Sequence, residues 1–328
     1  MKIGTIGTGS IVDLFLTALK DIDGAECVAM YSRKEETARP LAEKHKITTI
    51  YTDLANMLAD PAIDFIYVAS PNSFHFSHTY QALQNGKHVI CEKPFTSTVR
   101  ESERVMELAR KKQLMVFEAI TTIHLPNYQL IKEQIGKLGQ LKLIQCNYSQ
   151  YSSRYDLLKA GETPNVFNPQ FSGGALADIN IYNLHFVLHL FGAPESVAYT
   201  ANKHPNGIDT SGVVVLKYRD LVAECVGAKD TRSKNFVLIQ GEKGYIHVEN
   251  GANGCRNVSV HLEDQEINLN EQTSSNLMYY ELLAFKDIFD KQHYDRCEEL
   301  LKHSYAVMQV FEKARQSANI VFAADHEA

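Results

Sequence analysis

Apolar positions in the first third of the chain gather into short runs at residues 2–6, 27–31, 48–51, 65–69, 89–91 and 114–117. Each run has the length and character of a buried strand. Between the runs, apolar residues recur at three- and four-residue intervals, as at Ile11, Leu14, Phe15, Ala18 and Leu19. That spacing predicts helices over residues 11–19 and 35–45, with further helical segments at 54–58, around 80–83 and at 101–111. Strands separated by helices predict a parallel sheet covered on both faces, the doubly wound α/β arrangement. Past Phe117 the rhythm changes. Residues 143–148, 196–201, 213–218, 221–226, 236–240, 245–248 and 258–262 alternate in part and are divided by turn residues, which predicts a large, mostly antiparallel sheet. Helical spacing returns at 277–289 and 298–314. The expectation is therefore an N-terminal Rossmann domain over residues 1–120 and a C-terminal α+β domain over residues 121–328.

Composition narrows the field without changing this outline. The chain has 328 residues, 45% hydrophobic and 22% charged, as in globular proteins. A formal net charge of −6 gives no electrostatic reason to bind nucleic acid or an anionic membrane. Six cysteines are widely spaced with no C-x-x-C, which argues against a disulfide frame or structural zinc and fits a reducing, cytoplasmic setting. No apolar stretch is long enough to span a bilayer, and glycines interrupt the N-terminal run that would mimic a signal peptide. A large sheet with few helices to cover it invites pairing with a second copy, so a homodimer or larger homo-oligomer is expected.

The first strand runs directly into Gly7-Thr8-Gly9-Ser10-Ile11-Val12, which fits G-x-G-x-x-G except that Val12 replaces the third glycine. The first two glycines carry the physics: one makes the tight turn, the other lets backbone approach a pyrophosphate at a helix N-terminus. Gly7, Thr8, Gly9, Ser10 and Ile11 are thus candidates to hold a dinucleotide. The second strand ends in Tyr31-Ser32-Arg33-Lys34, with no carboxylate to hold ribose hydroxyls. Ser32 and Arg33 suit a 2′-phosphate and favour NADP over NAD, although Glu35 and Glu36 oppose the positive field.

Two later stretches carry charges in unusual places. Lys87-His88-Val89-Ile90-Cys91-Glu92-Lys93-Pro94 reads as a buried strand that ends in opposite charges and a proline. The segment from Ser172-Gly173-Gly174 to Phe191-Gly192 reads as one helix, on which Asp178, Tyr182 and His185 share a face by their four- and three-residue spacing. Tyrosine and histidine on a helix more often pack than react, so this stretch alone does not establish a site.

Taken together, Gly7-Thr8-Gly9, Ser70-Pro71-Asn72-Ser73-Phe74-His75, Cys91-Glu92-Lys93-Pro94 and Gly173-Gly174-Ala175-Leu176-Ala177-Asp178 resemble the glucose–fructose oxidoreductase / inositol dehydrogenase / MocA family over essentially the whole chain. Glu118-Ala119, Pro126 and Tyr182 look most like the branch of dimeric dihydrodiol dehydrogenases, which use NADP and also oxidise pentoses. The resemblance implies that Lys93 is the catalytic lysine, placed by Glu92 and Pro94, with a cis peptide as one means. It implies that Ser70, Pro71, Asn72 and His75 form a turn beside the cofactor, that Asp178 orients substrate, and that Tyr182 stands where the family more usually has histidine. Three departures stand out: Val12, Asn180 where glycine is common, and the lack of an arginine in Thr121-Thr122-Ile123-His124.

Oxidising a secondary alcohol requires removal of the hydroxyl proton as hydride leaves. Free tyrosine, with pKa about 10, is a poor base at neutral pH, and a nearby ammonium lowers that value. This motivates Tyr182 as acid/base, Lys93 as its electrostatic partner, and Asp178 and His185 as substrate contacts, with His185 a second candidate for the proton. The expected substrate is a sugar, polyol or cyclic diol. Two other readings remain: a glycosidase using tightly bound NAD(P) in a transient redox cycle, and a non-catalytic NAD(P)-sensing regulator. No metal site is expected.

Overall fold

In the computed structural model, which describes residues 1–326, the first third of the chain folds as β1 (Lys2–Ile6), α1 (Ser10–Leu19), β2 (Glu26–Tyr31), α2 (Glu35–His45), β3 (Thr49–Tyr51), α3 (Leu54–Ala59), β4 (Phe65–Val68), α4 (His75–Gln84), β5 (His88–Glu92), α5 (Val99–Lys112) and β6 (Val116–Ala119). The strands pair in the order β3-β2-β1-β4-β5-β6, all parallel. The order reverses between β1 and β4, and ligands of such sheets lie at the carboxyl ends of the strands there. Every residue of β4 is buried, which is why its sequence shows an unbroken apolar run rather than alternation. Local signals set the helix ends: a capping box joins Thr98 and Glu101 at the start of α5, and Gln113 closes it in the left-handed region at φ 55°.

The second sheet is built from β7 (Leu141–Ser149), β8 (Ser196–Lys203), β9 (Asp209–Lys217), β10 (Val222–Ala228), β11 (Phe236–Gly241), β12 (Gly244–Glu249), β13 (Val258–Leu262) and β14 (Gln265–Leu269). Its order is β14-β13-β12-β11-β7-β10-β9-β8, antiparallel throughout except for the central β10–β7 pair. One face is buried through Ile144, Cys146, Val214, Leu216, Ala223, Cys225, Val237, Ile239, Ile246 and Val248. The alternate positions Leu143, Val213, Val222 and Leu238 are half-buried, and Val215 is exposed. Helices α6 (Pro126–Gln134), α7 (Ser153–Lys159), α8 (Ile181–Phe191) and α9 (Gly251–Gly254) belong to the same half of the chain, and proline at the first turn of α6 suits its missing N–H.

The last helices are α10 (Met278–Asp290) and α11 (Tyr294–Ser317). The chain divides into two compact units: Met1–Ala119 with Ser274–Tyr305, and Ile120–Thr273 with Ala306–Ala328. A division at residue 120 therefore leaves out α10 and the first half of α11, which pack with the nucleotide-binding sheet. The reason is aromatic: Phe285 stacks on Phe117 at 4.5 Å, and Phe289 meets Phe65 and His88 at 4.9 and 5.3 Å.

Candidate active site

At the switch point of the first sheet, Gly7 has φ +122°, and a Cβ on it would lie 2.5 Å from the Ala69 carbonyl oxygen. Only glycine fits there. Gly9 differs: its backbone is extended at φ −80°, and a Cβ on it would meet nothing within 4 Å. Nothing among the described residues requires glycine at position 9, whereas a ligand approaching the backbone would. Gly9 also begins α1 without a side-chain cap, so no side chain competes for the first-turn N–H groups that an anion seeks. Val12, the departure from the glycine pattern, is fully buried in α1. These features fit a dinucleotide's pyrophosphate on Gly7, Thr8, Gly9, Ser10 and Ile11.

At the end of β2, Ser32 is half-buried and Arg33 exposed. Glu35, set against Arg33 by the sequence, instead pairs with Arg39 at 2.5 Å. The Arg33 guanidinium is thereby spared one nearby carboxylate.

Lys93 follows β5 and is half-buried, with a cis peptide bond to Pro94. The residues on either side are held by three buried groups from three other elements. Tyr67 on β4 donates its hydroxyl to Glu92 Oε1 at 2.6 Å. His75, at the start of α4, places Nδ1 2.8 Å from the Pro94 carbonyl oxygen. Phe95 donates its backbone N–H to Glu118 Oε1 on β6 at 2.9 Å. Burial raises the Glu92 carboxyl to about 7, against hydrogen bonding from Tyr67 and the attraction of Lys93. His75 is 1% exposed, and its Nε2 lies 2.9 Å from the Ser70 carbonyl oxygen. Both ring nitrogens are thus engaged by backbone, so His75 ties the Ser70-Pro71-Asn72 turn to the lysine loop. His78 Nδ1 takes the Ser70 hydroxyl at 2.9 Å, and burial lowers that imidazole to about 4.

Asp178, Tyr182 and His185 belong to the second unit. The helix carrying them starts with a π-helical turn, Leu176–Asn180, before continuing as α8. Such turns are rare and frequent at functional sites. Asp178 and Tyr182 are half-buried, but His185 is fully buried. The Tyr182 ring packs edge-on against Tyr148 at 5.9 Å, while Tyr151 is drawn away to the exposed Asp156. Asp178 is paired with Lys229, at the end of β10. The sequence reading did not select Lys229; its only signal was a charged pair, Lys229-Asp230, closing a strand as Glu92-Lys93 closes β5.

The start of this helix is pinned by Asp209, which accepts from the Leu176 N–H and the Tyr199 hydroxyl, each at 2.7 Å, while 1% exposed. Asn180 donates to the Cys225 carbonyl at 2.9 Å, and Asn183 donates to Asn180 Oδ1 at 2.8 Å. Asn180, which stands where glycine is common, is given room by Gly227 on β10: a Cβ on Gly227 would lie 2.5 Å from the Asn180 Cβ. Among the described residues no cluster of three or more His, Cys, Asp or Glu could hold a metal ion, and no helix is long and apolar enough to cross a membrane.

A doubly wound sheet with an open glycine turn at its switch point defines the first unit as a dinucleotide-binding fold. Comparison with known proteins gives the family. Residues 1–120 match the model of the Gfo/Idh/MocA oxidoreductase family, NAD-binding Rossmann fold, and residues 128–247 match the Gfo/Idh/MocA C-terminal domain. The chain belongs to this family of oxidoreductases. It is 32% identical over 326 residues to scyllo-inositol 2-dehydrogenase (NADP(+)) of Bacillus subtilis, covering 99% of each. It is 36% identical over 326 residues to the oxidoreductase YgjR of Escherichia coli, covering 99% of this chain and 98% of that one. Among solved structures, a 3-ketoreductase from Actinomadura kijaniata in complex with NADP and TDP-benzene shares the fold with a TM-score of 0.85 at 19% identity, over 98% of this chain and 99% of that chain.

Proposed function

We propose that the protein is an NADP-dependent dehydrogenase that oxidises a secondary hydroxyl of a sugar, polyol or cyclic diol, or reduces the corresponding carbonyl. The observation that carries this reading is the fixing of Lys93: three buried side chains hold its neighbours, and Lys93 itself is half-buried at the carboxyl edge of the sheet. NADP is favoured over NAD by Ser32 and Arg33, while the uncapped turn at Gly9 suits the pyrophosphate of either cofactor. Relatives support the substrate class: besides the inositol enzyme, a D-xylose 1-dehydrogenase (NADP(+)) of Hypocrea jecorina is 30% identical over 284 residues.

When bound, the nicotinamide accepts or returns the hydride. Tyr182 removes the substrate hydroxyl proton in oxidation and returns it in reduction. The Lys93 ammonium stabilises negative charge on the substrate oxygen, which also favours the tyrosinate. Asp178, held by Lys229, orients a neighbouring hydroxyl. Full burial of His185 favours Tyr182 over it as the proton carrier. Lys93→Met and Tyr182→Phe should each lower kcat by about 10²–10⁴-fold, and a double-mutant cycle should show that the losses are not additive. Independent, additive losses would break the pairing. The chain further pairs as a homodimer or larger homo-oligomer through the second sheet's half-buried face, around Leu143, Val213, Val215 and Leu238, and works in the cytoplasm.

A panel of aldoses, polyols and cyclic diols, followed by nicotinamide absorbance with NADP and with NAD, tests the proposal. Cleavage of a glycoside without net absorbance change would refute it in favour of the redox-assisted hydrolase. NADP binding without turnover of any kind would favour the regulator.

A further inference from the structure

Lys87 and Lys229 are equally buried, each 7% exposed, yet their ammonium groups are provided for unequally. Lys87 donates to the backbone carbonyls of Asp60 and Ile63, at 2.6 and 2.8 Å. Lys229 has one acceptor among the described residues, the Asp178 carboxylate. An ammonium carries three N–H donors, so most of its capacity is unused. The carboxylate next in sequence does not supply it, because Asp230 Oδ2 accepts from the Thr210 and Ser211 hydroxyls at 2.7 and 2.9 Å. Nor can Lys229 shift to find another partner. Its backbone N–H donates to the Thr210 carbonyl at 2.8 Å, and its carbonyl accepts from the Ser152 N–H at 2.9 Å. Strand alternation sets Ala223, Cys225, Gly227 and Lys229 on one face, and that face meets the helix of Asp178, since Gly227 makes room there for Asn180. Asp178 is half-buried, so the pair is a buried cation behind a carboxylate that solvent can reach.

We propose that Lys229 binds the substrate and sets its specificity: the hydroxyl on the carbon next to the one oxidised donates its proton to Asp178 and accepts an N–H from Lys229. The substrate class is then a neutral vicinal diol. A hydroxyl is both donor and acceptor, and a carboxylate beside an ammonium offers the complement of each. Tyr182, which takes the proton of the reacting hydroxyl in the reaction proposed above, stands one turn from Asp178 on the same helix face, where the neighbouring hydroxyl would be met. A substrate carboxylate or phosphate would also fill the Lys229 donors, but it would stand against the Asp178 charge. The pair as a whole is neutral, which favours polyols over sugar acids and sugar phosphates. An analogue lacking the second hydroxyl leaves a buried ammonium and its carboxylate without their partner, and sites built this way reject such analogues strongly.

This inference rests on the dehydrogenase reading, and turnover and binding together tell the two apart. With NADP, kcat/KM for trans-cyclohexane-1,2-diol should exceed that for cyclohexanol by about 10²-fold or more in the wild type. In Lys229→Met that ratio should fall about tenfold or more. A lysine that only supports the fold would lower both values alike and leave the ratio unmoved, which overturns the proposal. Should Lys229→Met fail to fold, the double variant Lys229→Met/Asp178→Asn leaves no buried charge unpaired, and a wild-type ratio in it is equally fatal. Saturation-transfer NMR on protein loaded with NADPH, which cannot oxidise the alcohol, reads binding without turnover. The diol should bind more tightly than cyclohexanol to the wild type and lose that advantage in Lys229→Met. Equal binding of the two alcohols to the wild type, or an advantage that survives in the variant, overturns the contact. The expected binding pattern with no turnover of any alcohol would refute the dehydrogenase and leave the contact standing.

Discussion

Gly7 and Gly9 stand two residues apart in one turn, yet replacing each with alanine should damage different properties. At Gly7 the new Cβ would sit 2.5 Å from the Ala69 carbonyl oxygen, on a backbone at φ +122° that L-residues rarely adopt. Strain of that kind costs about 1–3 kcal/mol before the steric overlap is added, so Gly7→Ala should lose about 2–4 kcal/mol of stability. At Gly9 the methyl group meets no atom within 4 Å, and φ −80° suits alanine. Alanine is a poorer N-cap than glycine but restricts the unfolded chain, and these effects roughly offset, leaving Gly9→Ala within about 1 kcal/mol of the parent. The space it fills is the proposed pyrophosphate cradle, so NADPH affinity should fall about tenfold or more, equivalent to about 1.4 kcal/mol. Urea denaturation of the apo-proteins gives the first quantity and fluorescence titration with NADPH the second. A Gly9→Ala protein that binds NADPH as tightly as the parent would refute the placement of the pyrophosphate. One as unstable as Gly7→Ala would refute the claim that the chain itself has no need of that glycine.

Other outcomes follow from the same contacts. Asp209→Ala leaves the Tyr199 hydroxyl and the Leu176 N–H buried without their acceptor and should cost about 2–5 kcal/mol, with Asp209→Asn costing less; a loss below about 1 kcal/mol in denaturation would contradict the anchoring role. Arg33→Ala should weaken NADPH binding about tenfold or more while leaving NADH binding unchanged, and equal losses for both cofactors would count against a 2′-phosphate contact. Glu92 links stability to pH. Between its ordinary value of 4.5 and about 7 the unfolded chain has lost a proton that the folded chain keeps, so this residue's contribution falls as pH rises through that window and is level above it. The whole effect is about 3 kcal/mol, and Glu92→Gln should remove it from urea denaturation measured across the window.

What could be read from the sequence was what lies close along the chain. The strand, turn and helix around Gly7 and Gly9, the charged end of β5, and the helix bearing Asp178 and Tyr182 are each local patterns with a fixed period. The supports of those groups come from far away: Lys229 reaches Asp178 from β10, and Glu118 holds the backbone beside Pro94 from the next strand. Asn180 stood out as a departure because the glycine that makes room for it, Gly227, lies on a distant strand, β10, rather than beside it in the helix. The strand β14 gave no warning, since Gln265, Glu266 and Asn268 are polar and an edge strand can be held by backbone pairing alone. His75 looked like part of the cofactor turn, and full burial of both its ring nitrogens could not be inferred from position. His185 was likewise grouped with Tyr182 by spacing, which says nothing about depth.

The return of α10 to the first sheet bears on how the protein comes into being. The parallel sheet is complete in strands once residue 119 has been made, but the face bearing Phe65, His88 and Phe117 waits for Phe285 and Phe289. Until then the growing chain carries an exposed aromatic surface through the synthesis of more than half its length, a hazard for association with other unfinished chains. A fragment cut at residue 120, where the family model of the nucleotide-binding half ends, should therefore behave as an unfinished body rather than a free-standing module. Joining residues 274–305 behind that cut should restore the missing cover.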